Sequence, residues 1–186
     1  SSAAKILGIV PDADWQLVAA NIPILQFPDG VTREHATYNG EGIKQADVNL
    51  LSYPLKEITD PTRIRKDLEY YSARVPNEGT PAMTQATFTT LYARLGDGEK
   101  AWHWFQDSYI PNLNPPFRVI AETKGGTNPY FSTGAGGIIQ SMLMGFGGLD
   151  ITPTGIVQLK SKLPTKWKSL TLKGIGPERK TFVVKQ

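Results

Sequence analysis

The chain contains no cysteine. No disulfide, thiolate nucleophile or cysteine-ligated metal therefore enters its chemistry, and cysteine use says nothing of its redox compartment. No apolar run approaches the ~20 residues that a bilayer span requires, and the start, Ser1-Ser2-Ala3-Ala4-Lys5, has no secretory signal pattern. There are only two histidines, His35 and His103, and neither has partners at metal-ligand spacing, so no metal site is expected. His103 lies between Trp102 and Trp104 and reads as structural. A Ser-His-Asp triad cannot be assembled with any force, and neither GxSxG nor GxxxxGK[ST] occurs. No cofactor is expected. What remains is an ordinary globular composition: 186 residues, 40% hydrophobic and 20% charged, which excludes disordered, collagen-like and disulfide-scaffold classes.

The formal net charge is +3, but it is unevenly placed. Residues 1–150 carry 12 Lys and Arg against 16 Asp and Glu, a net −4; residues 151–186 carry 8 basic residues against the single Glu178, a net +7. The break follows Gly145-Phe146-Gly147-Gly148-Leu149-Asp150, where glycines end an apolar segment, and it suggests a helical portion over 1–150 and a small strand portion over 151–186. In the second portion Lys160, Lys162, Lys166, Lys168 and Lys173 are interleaved with Leu159, Leu163, Leu170, Leu172 and Ile175. That is the pattern of half-buried strands with a solvated face, so neither nucleic acid nor membrane is expected as a partner. Strands are expected at 156–159, 167–173 and 180–184, separated by Gly- and Pro-containing turns. Three strands are few for an independent fold, so this portion should pack on what precedes it.

The first portion reads as paired helices. Asp60-Pro61 supplies a cap and a first-turn proline, and Ile64, Leu68, Tyr71 and Val75 follow at helical spacing. Phe88, Leu91, Tyr92 and Leu95 form the next stripe, closed by Gly96, and Asp97 caps a helix carrying Ala101, Trp102, Phe105 and Tyr109. A further stripe runs Ala135, Ile138, Ile139, Met142, Leu143, Phe146. Helices are also expected over 14–22 and 43–55. Two connections, 23–42 and 111–133, are longer than helical hairpins need, and their aromatic, amide and small polar content argues for function.

Glu122 follows the apolar Phe117-Arg118-Val119-Ile120-Ala121 and precedes a Gly-rich polar loop, which suits a carboxylate at a pocket rim as well as a surface or cap residue. Lys44-Gln45 offers a cation beside an amide, a pair suited to sugar hydroxyls or simply to a solvated helix start. Ser132-Thr133-Gly134-Ala135-Gly136-Gly137 opens the last helix, where hydroxyls and free N–H groups hold an anion or cap the helix.

The blocks Tyr38-Asn39-Gly40-Glu41-Gly42-Ile43-Lys44-Gln45-Ala46-Asp47-Val48, Leu91-Tyr92-Ala93-Arg94-Leu95-Gly96-Asp97, Ala121-Glu122-Thr123 and Phe131-Ser132-Thr133-Gly134-Ala135-Gly136-Gly137-Ile138-Ile139-Gln140, closed by Gly145-Phe146-Gly147-Gly148-Leu149, resemble the C-terminal part of glycoside hydrolase family 65. That family contains disaccharide phosphorylases for maltose, trehalose and kojibiose, acid trehalases and related α-glucoside hydrolases. The resemblance spans nearly the whole chain, in order. It implies a mainly α fold: the last helical hairpins of an (α/α)6 toroid, truncated at the N-terminus with Ser1 inside a barrel helix region, followed by a small C-terminal β domain.

The resemblance also assigns roles. Lys44 and Gln45 match the pair that binds the glucosyl unit, and Glu122 matches the general base proposed for the inverting hydrolases, with the general acid upstream of this chain. Tyr130 stands near the place of a phosphate-binding histidine of the phosphorylases, while Ser132 and Thr133 keep hydroxyls that could line the substrate site. Tyr130 with Glu122 favours water over phosphate as nucleophile. The expected activity is thus inverting hydrolysis of an α-glucosidic bond in a disaccharide or oligosaccharide, the fragment alone being inactive. A phosphorylase of the same family and a non-catalytic sugar-binding or scaffold module are the alternatives. Expected partners are the sugar, the rest of the same polypeptide and, through exposed apolar helix faces, a second copy in a homodimer. The compartment stays open; an extracytoplasmic location follows if the full-length protein carries a signal peptide.

Overall fold

The structure, a computed structural model, describes residues 2–76 and 80–186. Ser1, which the resemblance places inside a barrel helix, lies outside them. The order is α1 (Ser2–Leu7), α2 (Ala13–Asn21), α3 (Asp47–Leu50), α4 (Pro61–Ser72), α5 (Ala82–Arg94), α6 (Gly98–Asp107), the ribbon β1 (Leu113–Asn114) and β2 (Val119–Ile120), α7 (Ser132–Gln140), then β3 (Leu149–Thr152), β4 (Gly155–Gln158), β5 (Ser169–Ile175) and β6 (Lys180–Lys185). It is a mixture of helices and three separate two-stranded antiparallel ribbons, β1–β2, β3–β4 and β5–β6.

The helix ends follow the cap chemistry. Asp60 accepts from the Arg63 N–H with Pro61 in the first turn, and Asp97 accepts from the Lys100 N–H. Gly96, at φ +84°, turns the chain between α5 and α6 in a conformation that costs other residues energy. These helices enclose a core in which Leu68, Tyr71, Phe88, Leu91, Tyr92, Ala101 and Phe105 are buried together. By contrast α2 buries none of its residues, and Ile6, Leu7, Val10, Leu17 and Ile22 are exposed.

Two expected helices differ. Of 43–55 only the four residues of α3 are helical. The Ile43 N–H is drawn to the Arg74 carbonyl (3.0 Å) and the Lys44 carbonyl accepts from the Thr84 hydroxyl (2.9 Å), so the entry is committed to tertiary bonds. At the other end Pro54 disfavours helical geometry at Tyr53. The last helix continues beyond Gln140 as a π-helical turn, Ser141–Phe146, closed by the Gly147 N–H on the Met142 carbonyl at 2.9 Å. The apolar stripe packs in part, with Phe146 buried in the core and Ile138 and Met142 lying against it. Ile139 is 61% exposed, and the residues against α5 are small. A Cβ on Gly134 would meet Ala82 Cβ at 2.9 Å, one on Gly137 would meet Ala86 Cβ at 2.9 Å, and one on Gly145 would meet Thr90 Cα at 3.0 Å. Ser141 continues the row, donating to the Ala86 carbonyl at 3.1 Å. Glycine is needed here because the two backbones approach more closely than a side chain allows.

The first long connection is half structural. Buried Asp67 on α4 accepts from both the backbone N–H and the hydroxyl of Thr32, each at 2.7 Å, and the Tyr71 hydroxyl donates to the Thr32 carbonyl. Charge-assisted bonds of this kind contribute roughly 1.5–3 kcal/mol each, enough to fasten this loop to α4.

The C-terminal ribbons are docked on the helices. Leu163 is buried, its carbonyl lies against Gly98 of α6, and the Lys162 N–H donates to the Ala93 carbonyl. Trp167 meets Trp102 edge-on at 5.3 Å and packs on Phe146. The charge break at 150/151 falls inside β3, whose Asp150 pairs with Lys56 at 2.7 Å and lies 3.6 Å from Arg94. Arg94 in turn donates to the carbonyls of Met144 and Leu149. His103 is exposed on α6, its Nε2 3.3 Å from Asp107 and its ring edge-on to Trp104 at 5.5 Å.

Candidate active site

Glu122 leaves the β1–β2 ribbon at the N-terminus of α5. Buried Ala121 donates its N–H to the Asn112 carbonyl at 2.8 Å, and the Glu122 carbonyl accepts from the Ala82 N–H at 3.0 Å. The backbone on both sides of the carboxylate is therefore fixed to regular elements. Its Oε1 lies 3.2 Å from Lys44 Nζ, and its Oε2 accepts from Asn128 Nδ2 at 3.2 Å. The Glu122 side chain is 27% exposed and that of Lys44 63%, so the pair is open to solvent on the lysine side.

Lys44 and Gln45 occupy the bend just before α3 instead of a helix entry. Thr84, buried on α5, holds the Lys44 carbonyl and also lines a cleft of about 480 Å³ together with Gln45, Asp47, Thr87, Thr133 and Gln140. This volume lies in the range of small-molecule sites, roughly 300–1,000 Å³. The walls offer amide, hydroxyl and carboxylate groups over a floor of α7 glycines, a lining that hydrogen-bonds hydroxyl-rich ligands. Gln140 extends the wall toward Tyr53, whose hydroxyl it approaches at 3.4 Å and whose ring carries Arg94 at 4.2 Å.

The structure thus brings together Lys44 with Glu122, and Gln45 with Thr133. It does not bring Tyr130 or Ser132 into the cleft lining: Tyr130 is 76% exposed at φ +60°, and Ser132 is exposed in the first turn of α7 without capping that helix through its side chain. Sequence reasoning missed Asn128, Thr84, Asp47 and Gln140. Asn128 carried a signal, an amide followed by proline six residues after the carboxylate in a glycine-containing loop, a composition typical of turns that fold back on themselves. Thr84, in the first turn of α5, and Gln140, at the end of α7, carried none.

The loop beside the site also contains Glu34, whose carboxyl is raised above its usual range, first by burial and then by Asp47, with Glu41 adding and His35 opposing. The Tyr38 hydroxyl is pushed up to about 12, chiefly by burial. The Tyr38 phenol therefore keeps its proton at neutral pH, whereas the raised carboxyl of Glu34 is a stronger proton acceptor than an ordinary carboxylate.

Residues 29–118 match the model of the glycosyl hydrolase family 65 central catalytic domain. A kojibiose hydrolase of Mucilaginibacter mallensis is 74% identical over 98% of this chain and 27% of its own length. A kojibiose hydrolase of Flavobacterium johnsoniae is 59% identical over 99% of the chain and 27% of its own length. A periplasmic acid trehalase of Saccharomyces cerevisiae is 36% identical over 77% of the chain and 13% of its own length. The chain therefore spans about a quarter, or less, of the relatives it matches.

Proposed function

The chain belongs to glycosyl hydrolase family 65, and on that premise we propose that it is the C-terminal part of an inverting hydrolase of α-linked glucose disaccharides, with Glu122 as general base. The observation that carries this reading is the placement of the Glu122 carboxylate 3.2 Å from the lysine of the Lys44-Gln45 pair, with Gln45 lining the adjoining cleft. In this reading 1–150 supplies the closing hairpins of an (α/α)6 toroid and 151–186 a β appendage. The exposed apolar residues of α1 and α2 face the rest of the polypeptide.

Chemically, Glu122 removes a proton from a water whose oxygen forms a bond to the anomeric carbon as the glycosidic bond breaks. A second carboxyl group from outside this chain protonates the departing oxygen, the pair standing roughly 6.5–9.5 Å apart as inversion requires. Lys44 and Gln45 hold the glucosyl unit and Thr133 adds a hydroxyl at the start of α7, while Ser132 and Tyr130 stand outside the cleft lining and meet substrate only if it extends beyond the cleft. The substrate class follows the two kojibiose hydrolases, and an extracytoplasmic location is consistent with the periplasmic trehalase.

Phosphate as nucleophile is the second reading, favoured by the hydroxyls of Ser132 and Thr133 at a helix N-terminus. The negative Glu122 weighs against it, since like charges repel at the distance of a nucleophile. In the full-length enzyme Glu122→Gln should lower turnover by about 10²-fold or more and largely preserve sugar binding. Retained turnover would remove Glu122 from the role, and glucose 1-phosphate formed only with added phosphate would establish the phosphorylase instead.

A further inference from the structure

Asn128 is tied to Glu122 at two points. The Glu122 N–H donates to Asn128 Oδ1 at 3.3 Å, and Asn128 Nδ2 donates to Glu122 Oε2 at 3.2 Å. The two bonds fix the amide orientation independently. A backbone N–H can only donate, so Oδ1 must face it, and a carboxylate can only accept, so Nδ2 is the atom left to meet it. The loop between the two residues is shaped for this contact. Gly125 turns it at φ +68°, the Gly126 N–H closes on the Thr123 carbonyl at 2.9 Å, and Asn114 Nδ2 holds the Gly126 carbonyl at 2.8 Å. A Cβ on Gly126 would lie 3.0 Å from Asn128 Oδ1, so the loop passes close under the amide.

With Lys44 on Oε1 and Asn128 on Oε2, the carboxylate plane is set from both sides. The Lys44 side chain is 63% exposed, so a sugar hydroxyl can reach its ammonium, whereas Asn128 is anchored to the backbone of the very residue it orients. We propose that Asn128 is the positioning residue of the general base: it holds the Glu122 carboxylate in one orientation while Lys44 exchanges between Glu122 and substrate. The proposal rests on the reading of Glu122 as base.

The test uses the full-length enzyme. Asn128→Asp keeps an oxygen for the Glu122 N–H and so keeps the loop bond, but at neutral pH it replaces the donor to Oε2 with a repelling oxygen. Asn128→Ala removes both contacts. If Asn128 acts on the carboxylate, both variants lower kcat by about tenfold or more, within the 10²–10⁴ contribution of a general base, and change KM by less than about threefold. If Asn128 only braces the loop, Asn128→Asp retains wild-type kcat, which would overturn the proposal.

A second arm separates this outcome from a failure of the base itself. In Glu122→Ala, azide should restore turnover, because an anionic nucleophile needs no base. Adding Asn128→Asp to that variant should then cost nothing further, since the group it positions is gone. A persisting loss in the azide reaction assigns Asn128 a different role and overturns the proposal. Absence of azide rescue in Glu122→Ala alone would instead overturn the base reading beneath it.

Discussion

At the scale of single residues, the Glu122 carboxylate is set in place by what surrounds it. A carboxylate on a free loop samples many rotamers; here its backbone is bonded to Asn112 and α5, and each oxygen has a partner. The lysine half was singled out in the sequence through the family resemblance, since by itself Lys44-Gln45 suits a solvated helix start as well as sugar hydroxyls. The asparagine half was not, because an amide in a glycine-containing loop serves turns equally well.

Glu99 shows the same principle in stability. It lies in the first turn of α6 and its Oε1 accepts from the Thr165 N–H at 2.6 Å. That bond, with the Thr165 hydroxyl second, holds its carboxyl below the usual range. A lowered folded-state pKa means the unfolded chain binds more protons in the window between the two values, so stability rises with pH there. The contribution is complete above the unfolded value near 4.5 and is lost as pH falls through the folded one. Thermal unfolding between pH 3 and 6 should show a shallower acid loss for Glu99→Gln than for the wild type. Parallel curves would show that the Glu99–Thr165 contact does not report on docking of the C-terminal ribbons.

At the scale of elements, α7 separates what periodicity reveals from what it conceals. The existence of the helix was legible from Ala135, Ile138, Met142 and Phe146, as α4 was from Asp60-Pro61 and its stripe. The stripe also marked the packing of Phe146, Ile138 and Met142 on the core, whereas the contact with α5, made backbone to backbone through Gly134, Gly137, Ser141 and Gly145, carries no hydrophobic signal. Adjacent glycines should therefore respond with opposite signs. A Cβ on Gly136 meets nothing within 4 Å, so Gly136→Ala should stabilise by about 0.5–1 kcal/mol through helix propensity. Gly137→Val drives into Ala86 and should destabilise by about 1–3 kcal/mol by overpacking. Denaturant unfolding of both variants checks the pair, and equal shifts would contradict the close approach. The short α3 has a related cause: the bonds of Ile43 and Lys44 to Arg74 and Thr84 join residues some 30 to 40 positions apart, and no local pattern announces them.

At the scale of the whole molecule, the charge division marks a change from helices to ribbons, but the chain does not come apart there. β3 crosses it, Asp150 binds Lys56 beside Arg94, and Trp167 and Leu163 are set into the helical core. The lysines of the last 36 residues are exposed, but Lys160, Lys162, Lys166 and Lys168 lie in the connection between β4 and β5 and not on the half-buried strands that their alternation with leucines suggested. Lys166 Nζ lies 3.7 Å over the Trp102 ring. The cleft and the Lys44–Glu122 pair lie wholly in the acidic portion. The chain spans 27% of the two kojibiose hydrolases, and the account assigns it one of the two carboxyl groups that inversion needs. The most direct measurement follows the product that full-length Glu122→Ala forms from kojibiose in the presence of azide, by proton NMR at the anomeric carbon. The account expects hydrolysis to be lost and β-glucosyl azide to accumulate, the azide entering from the face that Glu122 otherwise serves with water. Undiminished release of glucose, no azide adduct, or an α-glucosyl azide would contradict it.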